Sequence, residues 1–119
     1  MSAVFETLNE CYSVEKNIQL HAAWLGKISG LKAEKLLRGR KKPFLYILRA
    51  GEEEQDYYVT FVLPNFAIKH QPFTLCDTEE GWSFVNGGCG GPFQNAIIDD
   101  VLHLIMHCRK EELSAFVKA

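Results

Sequence analysis

The chain has 119 residues, 47% of them apolar, which suits one compact domain able to bury a core without disulfide or metal staples. Its formal net charge of −2 argues against a broad basic face that grips a nucleic-acid backbone, while leaving room for one local basic pocket. No stretch approaches the roughly 20 apolar residues that span a bilayer, and the N-terminus lacks the basic region and apolar run of a signal peptide. Cys11, Cys76, Cys89 and Cys108 form no Cys-x-x-Cys pair and no zinc-finger spacing with histidine, so reduced, mostly buried thiols in a cytosol-like compartment are expected.

In chain order, Val4, Phe5, Leu8, Cys11 and Tyr12 fall at helical intervals and predict an extra helix in an N-terminal extension, residues 1–22. Ser29 is placed to cap a helix that Gly39 can end. The basic run from Arg38 to Lys42, closed by Pro43, reads as a loop. Residues 44–48 form a continuous apolar and aromatic run, the pattern of a buried strand, and Arg49 closes it. After a polar turn, residues 57–63 read as a second strand rich in aromatic and β-branched residues. Pro64-Asn65 then turns the chain into a third strand at 66–70, which Pro72 should limit. Residues 82–85 predict a short strand and 86–92 a mobile Gly-rich loop. Ile97, Ile98, Val101, Leu102 and Ile105 mark one face of a last helix, and 109–113 reads as its continuation. The expected class is α+β, a central antiparallel sheet flanked by two helices, with no C-terminal strand evident.

Three local motifs give this order a resemblance. Trp24-Leu25-Gly26-Lys27-Ile28-Ser29 with Ala33-Glu34-Lys35-Leu36-Leu37 is similar to the "W-x-x-G-K-I-x-R-x-x-A-E-x-L-L" that opens the Src-homology-2 family, one residue shorter after the tryptophan. Residues 43–51, Pro-Phe-Leu-Tyr-Ile-Leu-Arg-Ala-Gly, resemble its "P-G-T-F-L-V-R-E-S", and Ile68-Lys69-His70 its "V-K-H-Y". Ile98-x-x-Val101-Leu102 resembles the "L-x-x-L-V" of its second helix. The resemblance covers about residues 24–108 and assigns 23–119 to one such domain. It implies a cytoplasmic phosphotyrosine-binding module that takes tyrosine-phosphorylated peptides or proteins, without catalysis, cofactor or metal. The divergent pattern is similar to Src-homology-2-like domains of bacterial effectors, which would act in a host cytosol.

On that resemblance Arg49 is the phosphate-binding arginine and His70 lies beside the phosphotyrosine ring. A planar guanidinium binds two phosphate oxygens at once, and a place at the end of a buried strand fixes its rotamer. Gly51 and Glu52 belong to a turn expected to offer backbone N–H groups to the anion. Tyr58 and Thr60 of the second strand are counted with the site, and Lys27, Lys32 and Lys69 are the nearest further cations. The departures are Gly30 where the family carries a second arginine, Pro72 where it carries lysine or arginine, and Glu52, Glu53 and Glu54 where it carries hydroxyls. These leave the pocket lean in donors. In the family, loops after the last short strand and after the second helix form the pocket for residues that follow the phosphotyrosine; here the first is the Gly-rich 86–92 and the second is not evident, so weak selectivity for flanking residues is expected. The alternative is a phosphate-independent protein-interaction module on the same fold. An enzyme finds little support: the histidines are scattered, and His103 and His107, four apart on a predicted helix, have metal-ligand spacing but no third ligand.

Overall fold

The computed structural model describes residues 14–53, 55–78, 81–86, 89–93 and 98–117. The helix expected around Val4 to Tyr12 lies outside them. The chain is α+β. Helix α1 (Val14–Gln19) and helix α2 (Gly30–Leu37) precede strands β1 (Leu45–Ala50), β2 (Asp56–Val62), β3 (Ile68–Thr78), β4 (Gly81–Asn86) and β5 (Cys89–Phe93). Helix α3 (Ile98–Ile105), a 3-10 turn (Lys110–Glu112) and strand β6 (Ser114–Ala115) complete it. One sheet holds all six strands in the order β5-β4-β3-β2-β1-β6.

The sheet is mixed, because β6 pairs parallel to β1 through Leu45↔Ser114 and Tyr46↔Ala115 while every other pair is antiparallel. The C-terminal strand not evident in the sequence is therefore present. It is only two residues long, too short for a period-2 signal. The helix expected to continue through 109–113 stops instead at Ile105. His107 takes φ 55°, in the left-handed region that no helix continues through, and turns the chain back toward β1. Strand β3 runs on through Pro72 to Thr78, well past the expected end. Pairing with β4 begins only at Thr74, so Pro72 lies where β3 has β2 as its single neighbour and no second ladder needs its missing N–H. The expected loop at 86–92 is in large part strand β5, paired to β4 through Asn86↔Cys89.

Helix α2 forms where its signals are. The Ser29 hydroxyl accepts the Lys32 N–H at 3.0 Å, and Gly39 adopts φ 84° just past the end. Its buried Ala33 and Leu37 pack with Leu45, Ile47, Val62 and Phe116 on one face of the sheet. The other face carries Tyr46, Leu48, Val59 and Phe61 against Ile98, Val101, Leu102 and Ile105 of α3, together with Ile18 of α1. With helices on both faces, β1 has no polar side, which explains its continuous apolar run. Both edges of β1 are occupied as well. β2 lies on one side. On the other, β6 covers its start and the segment 23–26 its end, through Leu25 N–H to Leu48 O, Leu48 N–H to Ala23 O and Ala50 N–H to Gly26 O at 2.9–3.0 Å.

Candidate functional site

Side chains alternate between faces along a strand. Tyr46 and Leu48 enter the α3-side core and Leu45 and Ile47 the α2-side core, so Arg49 projects beneath helix α2. Cross-strand partners share a face. The register Arg49↔Tyr58, Tyr58↔Pro72 and Thr60↔His70 therefore gathers Arg49, Tyr58, Thr60, His70 and Pro72 on that side.

These residues form one connected network. Arg49 Nε–H donates to Thr60 Oγ1 at 3.1 Å, and Nη2–H donates to His70 Nδ1 at 3.2 Å. Thr60 Oγ1 lies 2.8 Å from the same Nδ1, and His70 Nε2 lies 3.1 Å from Glu34 Oε1 of helix α2. Arginine only donates, so Nδ1 must present its lone pair. The proton then sits on Nε2 and is donated to Glu34. Glu34 thus fixes the imidazole in the tautomer that orients the guanidinium. The plane of that group is set by Tyr58, whose ring centroid lies 4.3 Å from Arg49 Cζ in a cation–π contact.

Arg49 is only 8% exposed, and burial lowers the pKa of its guanidinium. Among the described residues no carboxylate forms an ion pair with it. Nη1 makes no hydrogen bond there, and no buried side-chain polar atom of the described residues lacks a partner, so Nη1 meets solvent. The result is a buried, uncompensated cation with one open side. Such an arrangement is costly unless an anion completes it.

Gly30 closes the site from above. A Cβ there would stand 3.2 Å from Arg49 Nη2 and 3.3 Å from His70 Cε1, so the missing side chain lets the first turn of α2 rest on the arginine–histidine pair.

The other sequence candidates are placed differently. Lys69 pairs with Phe61, a residue of the α3-side core, and so projects to the face opposite Arg49. Lys27 lines a separate cleft of 400 Å³ with Trp24, Gly51, Glu52 and Tyr57. Lys32 is exposed on α2. The turn after Arg49 offers fewer amides than expected. Gly51 N–H donates to Asp56 O at 2.7 Å and Ala50 N–H to Gly26 O, which leaves Glu52 and Glu53 with amides unbonded among the described residues. Gly51 is required there by space, since a Cβ would stand 2.7 Å from the Asp56 backbone. Glu52 also lines a 360 Å³ cleft with Asp56, Tyr58, Pro72 and Thr74, of which Arg49 is not a wall. His103 and His107 do not share a helix face, because α3 ends between them; His103 Nδ1 lies 3.2 Å from Cys108 O. Cys108 is a free, half-buried thiol whose pKa burial pushes up.

Glu34 has no role in the sequence reading. The available signal was its place four residues after Gly30 and next to the apolar Ala33, on the helix face turned to the sheet. A second polar cluster lies on the other face. His21 Nδ1 accepts Ala23 N–H at 3.0 Å, so Nε2–H donates to Asp99 Oδ1 at 2.9 Å, and the Tyr46 hydroxyl donates to the same oxygen at 3.3 Å. It ties the segment after α1 and the start of α3 to the back of β1.

No helix among the described residues is long and apolar enough to cross a membrane. Compared with known proteins, the chain matches no protein-family model and no curated protein sequence.

Proposed function

We propose that the chain is a non-catalytic module that binds phosphotyrosine in peptides or proteins, with a Src-homology-2-like fold. The observation that carries this reading is Arg49: more than nine-tenths buried, aligned by Thr60, His70 and Tyr58, without a carboxylate partner among the described residues and open on one side. The helix-covered sheet, the arginine near the end of the first strand and the histidine on the third support it together with the motif resemblance.

The phosphate of phosphotyrosine carries roughly −1.5 to −2 charge and three strong acceptor oxygens. It would accept from Nη1 and from the second proton of Nη2, while Nε and the first Nη2 proton stay on Thr60 and His70. Because Arg49 projects from the sheet wall under α2, a ligand must reach down to it. The ring of phosphotyrosine supplies that length, and phosphoserine falls short. The amides of Glu52 and Glu53 are the backbone donors left to assist. Weak selectivity for flanking residues belongs to this proposal and rests on the Gly-rich sequence at 86–92.

A second reading, a phosphate-independent interaction module, is favoured by one specific feature. The carboxylate of Glu34 lies one residue away from Arg49 through His70, and Glu52 and Glu53 crowd the following turn. Fluorescence polarisation with matched phosphorylated and unphosphorylated tyrosine peptides separates the two. Losing one partner of a buried charge pair costs about 2–5 kcal/mol, or roughly 30-fold to several thousand-fold in affinity. Phosphate-dependent binding that collapses by that amount in folded Arg49→Ala is the expected result. Equal binding of both peptides, or an unaffected variant, refutes the phosphotyrosine reading and favours the second.

A further inference from the structure

The basic run between α2 and β1 has no part in the Arg49 site. Arg40, Lys41 and Lys42, consecutive in sequence, all line one cleft of 510 Å³ whose other walls are Leu45 and the segment from Ser114 to Val117. That size lies within the roughly 300–1,000 Å³ of small-molecule sites. Among the described residues no side-chain carboxylate lines it, and Arg38, Arg40, Lys41 and Lys42 make no ion pair. On a chain of net charge −2, this concentration of unpaired cations is an anion-attracting focus.

The cleft is also built rather than loose. Arg40 Cζ sits 5.2 Å over the Phe116 ring, Arg40 N–H donates to Leu37 O, and Leu45 N–H donates to Lys42 O, which pins the loop at both ends. Ser114 N–H donates to Phe44 O, just before β1, and Phe116 N–H to Tyr46 O within it, so the Ala115 N–H between them faces away from that strand and makes no hydrogen bond among the described residues. The walls therefore offer three cations, the Ser114 hydroxyl and an open edge-strand amide. A two-residue β6 is too short to template an added peptide strand, and three adjacent cations make no stripe along which a nucleic-acid backbone could run. A compact polyanion is what fits.

We propose that this cleft is a second anion site, for a small ligand bearing clustered phosphate monoesters on a ring, of the inositol-polyphosphate kind, either free or as a lipid headgroup. It lies at the start of β1 and Arg49 near its end, about 13 Å away at about 3.3 Å per strand residue, so both sites can be filled at once.

The whole chain is titrated calorimetrically with soluble inositol trisphosphate, and co-sedimented with phosphatidylcholine vesicles with and without phosphatidylinositol bisphosphate. Binding of the soluble probe alone identifies a free ligand. Binding to the bisphosphate-containing vesicles, but not to plain ones, identifies a lipid headgroup. In either case Lys41→Ala/Lys42→Ala, two exposed positions, weakens binding about 30-fold, at about 1 kcal/mol per cation, with an unchanged thermal midpoint. Arg49→Ala leaves it intact. The inference is overturned if neither probe binds, if plain vesicles bind equally, if the lysine variant binds like wild type, or if Arg49→Ala abolishes the interaction.

Discussion

Thr60 is fully buried, and its hydroxyl is the only oxygen among the described residues that holds Arg49 Nε. Replacing it with the nearly isosteric valine removes the 3.1 Å bond from the guanidinium and the 2.8 Å contact with His70 Nδ1. A hydrogen bond to a charged group contributes about 1.5–3 kcal/mol and a neutral one about 1 kcal/mol. The added methyl returns about 0.8 kcal/mol through burial. Thr60→Val should therefore destabilise the fold by about 2–3 kcal/mol, which at about 1–3 kcal/mol per molar urea lowers the unfolding midpoint by about 1 M or more. A double-mutant cycle isolates the cause. In an Arg49→Met background the buried Nε–H is gone, and removing both partners of a buried bond is nearly neutral. Urea denaturation of wild type, both single variants and the double variant should then give a coupling of about 1.5–3 kcal/mol between positions 49 and 60. A coupling below about 0.5 kcal/mol, with Thr60→Val as costly without Arg49 as with it, would refute the idea that Thr60 holds the arginine and would leave it a packing residue.

Two further outcomes follow from the same geometry. Glu34→Gln keeps a carbonyl to accept the His70 Nε2 proton while removing a negative charge near the arginine; phosphopeptide binding should tighten about 2- to 5-fold at low salt and the gain should vanish near 1 M salt, where the Debye length is about 3 Å. Weaker binding in polarisation titrations would show instead that the carboxylate charge itself supports the site. On the other face, burial, then the Asp99 charge and hydrogen bond, push the Tyr46 phenol well above its ordinary value of 10.0. The fold therefore keeps the proton that the unfolded chain releases. This contribution is complete below about pH 10 and is lost as pH rises above it, by up to about 1.4 kcal/mol per pH unit. Tyr46→Phe should flatten that alkaline decline in urea midpoints, and an unchanged slope would exclude the phenol as its source.

Much of this was legible in the residues. The continuous apolar run before Arg49 encoded a strand covered on both faces, and period-2 alternation puts Arg49 on the face of Ile47. The same alternation, applied to neighbours, would have separated Lys69 from His70, since adjacent strand residues cannot share a face. Glu34 was readable from its spacing to Gly30. Other features were not. The two residues of β6 have no intrinsic signal, and their pairing is set by contacts some 70 positions away in sequence. The end of α3 depends on His107 entering a backbone region that its neighbours do not require. Pro72 forbids a ladder bond only on a side where a partner exists, so its tolerance in β3 depends on where β4 begins.

The lean donor set around Arg49 has a structural counterpart. The backbone of β1 is hydrogen-bonded along both edges, Tyr58 sets the guanidinium plane, and Thr60 and His70 take two of its protons, so little freedom is left to lose when an anion arrives. Preorganisation of this kind raises affinity by lowering the ordering cost rather than by adding contacts. Gly30 extends the logic. A second arginine at that position would add a cation, but even its Cβ would stand only 3.2 Å from Nη2, so the aligned guanidinium would have to give by a few tenths of an ångström. On the proposed reading, the chain depends on a single arginine held in place by its neighbours, and phosphate recognition should be more sensitive to the residues that orient Arg49 than to the cations scattered around it.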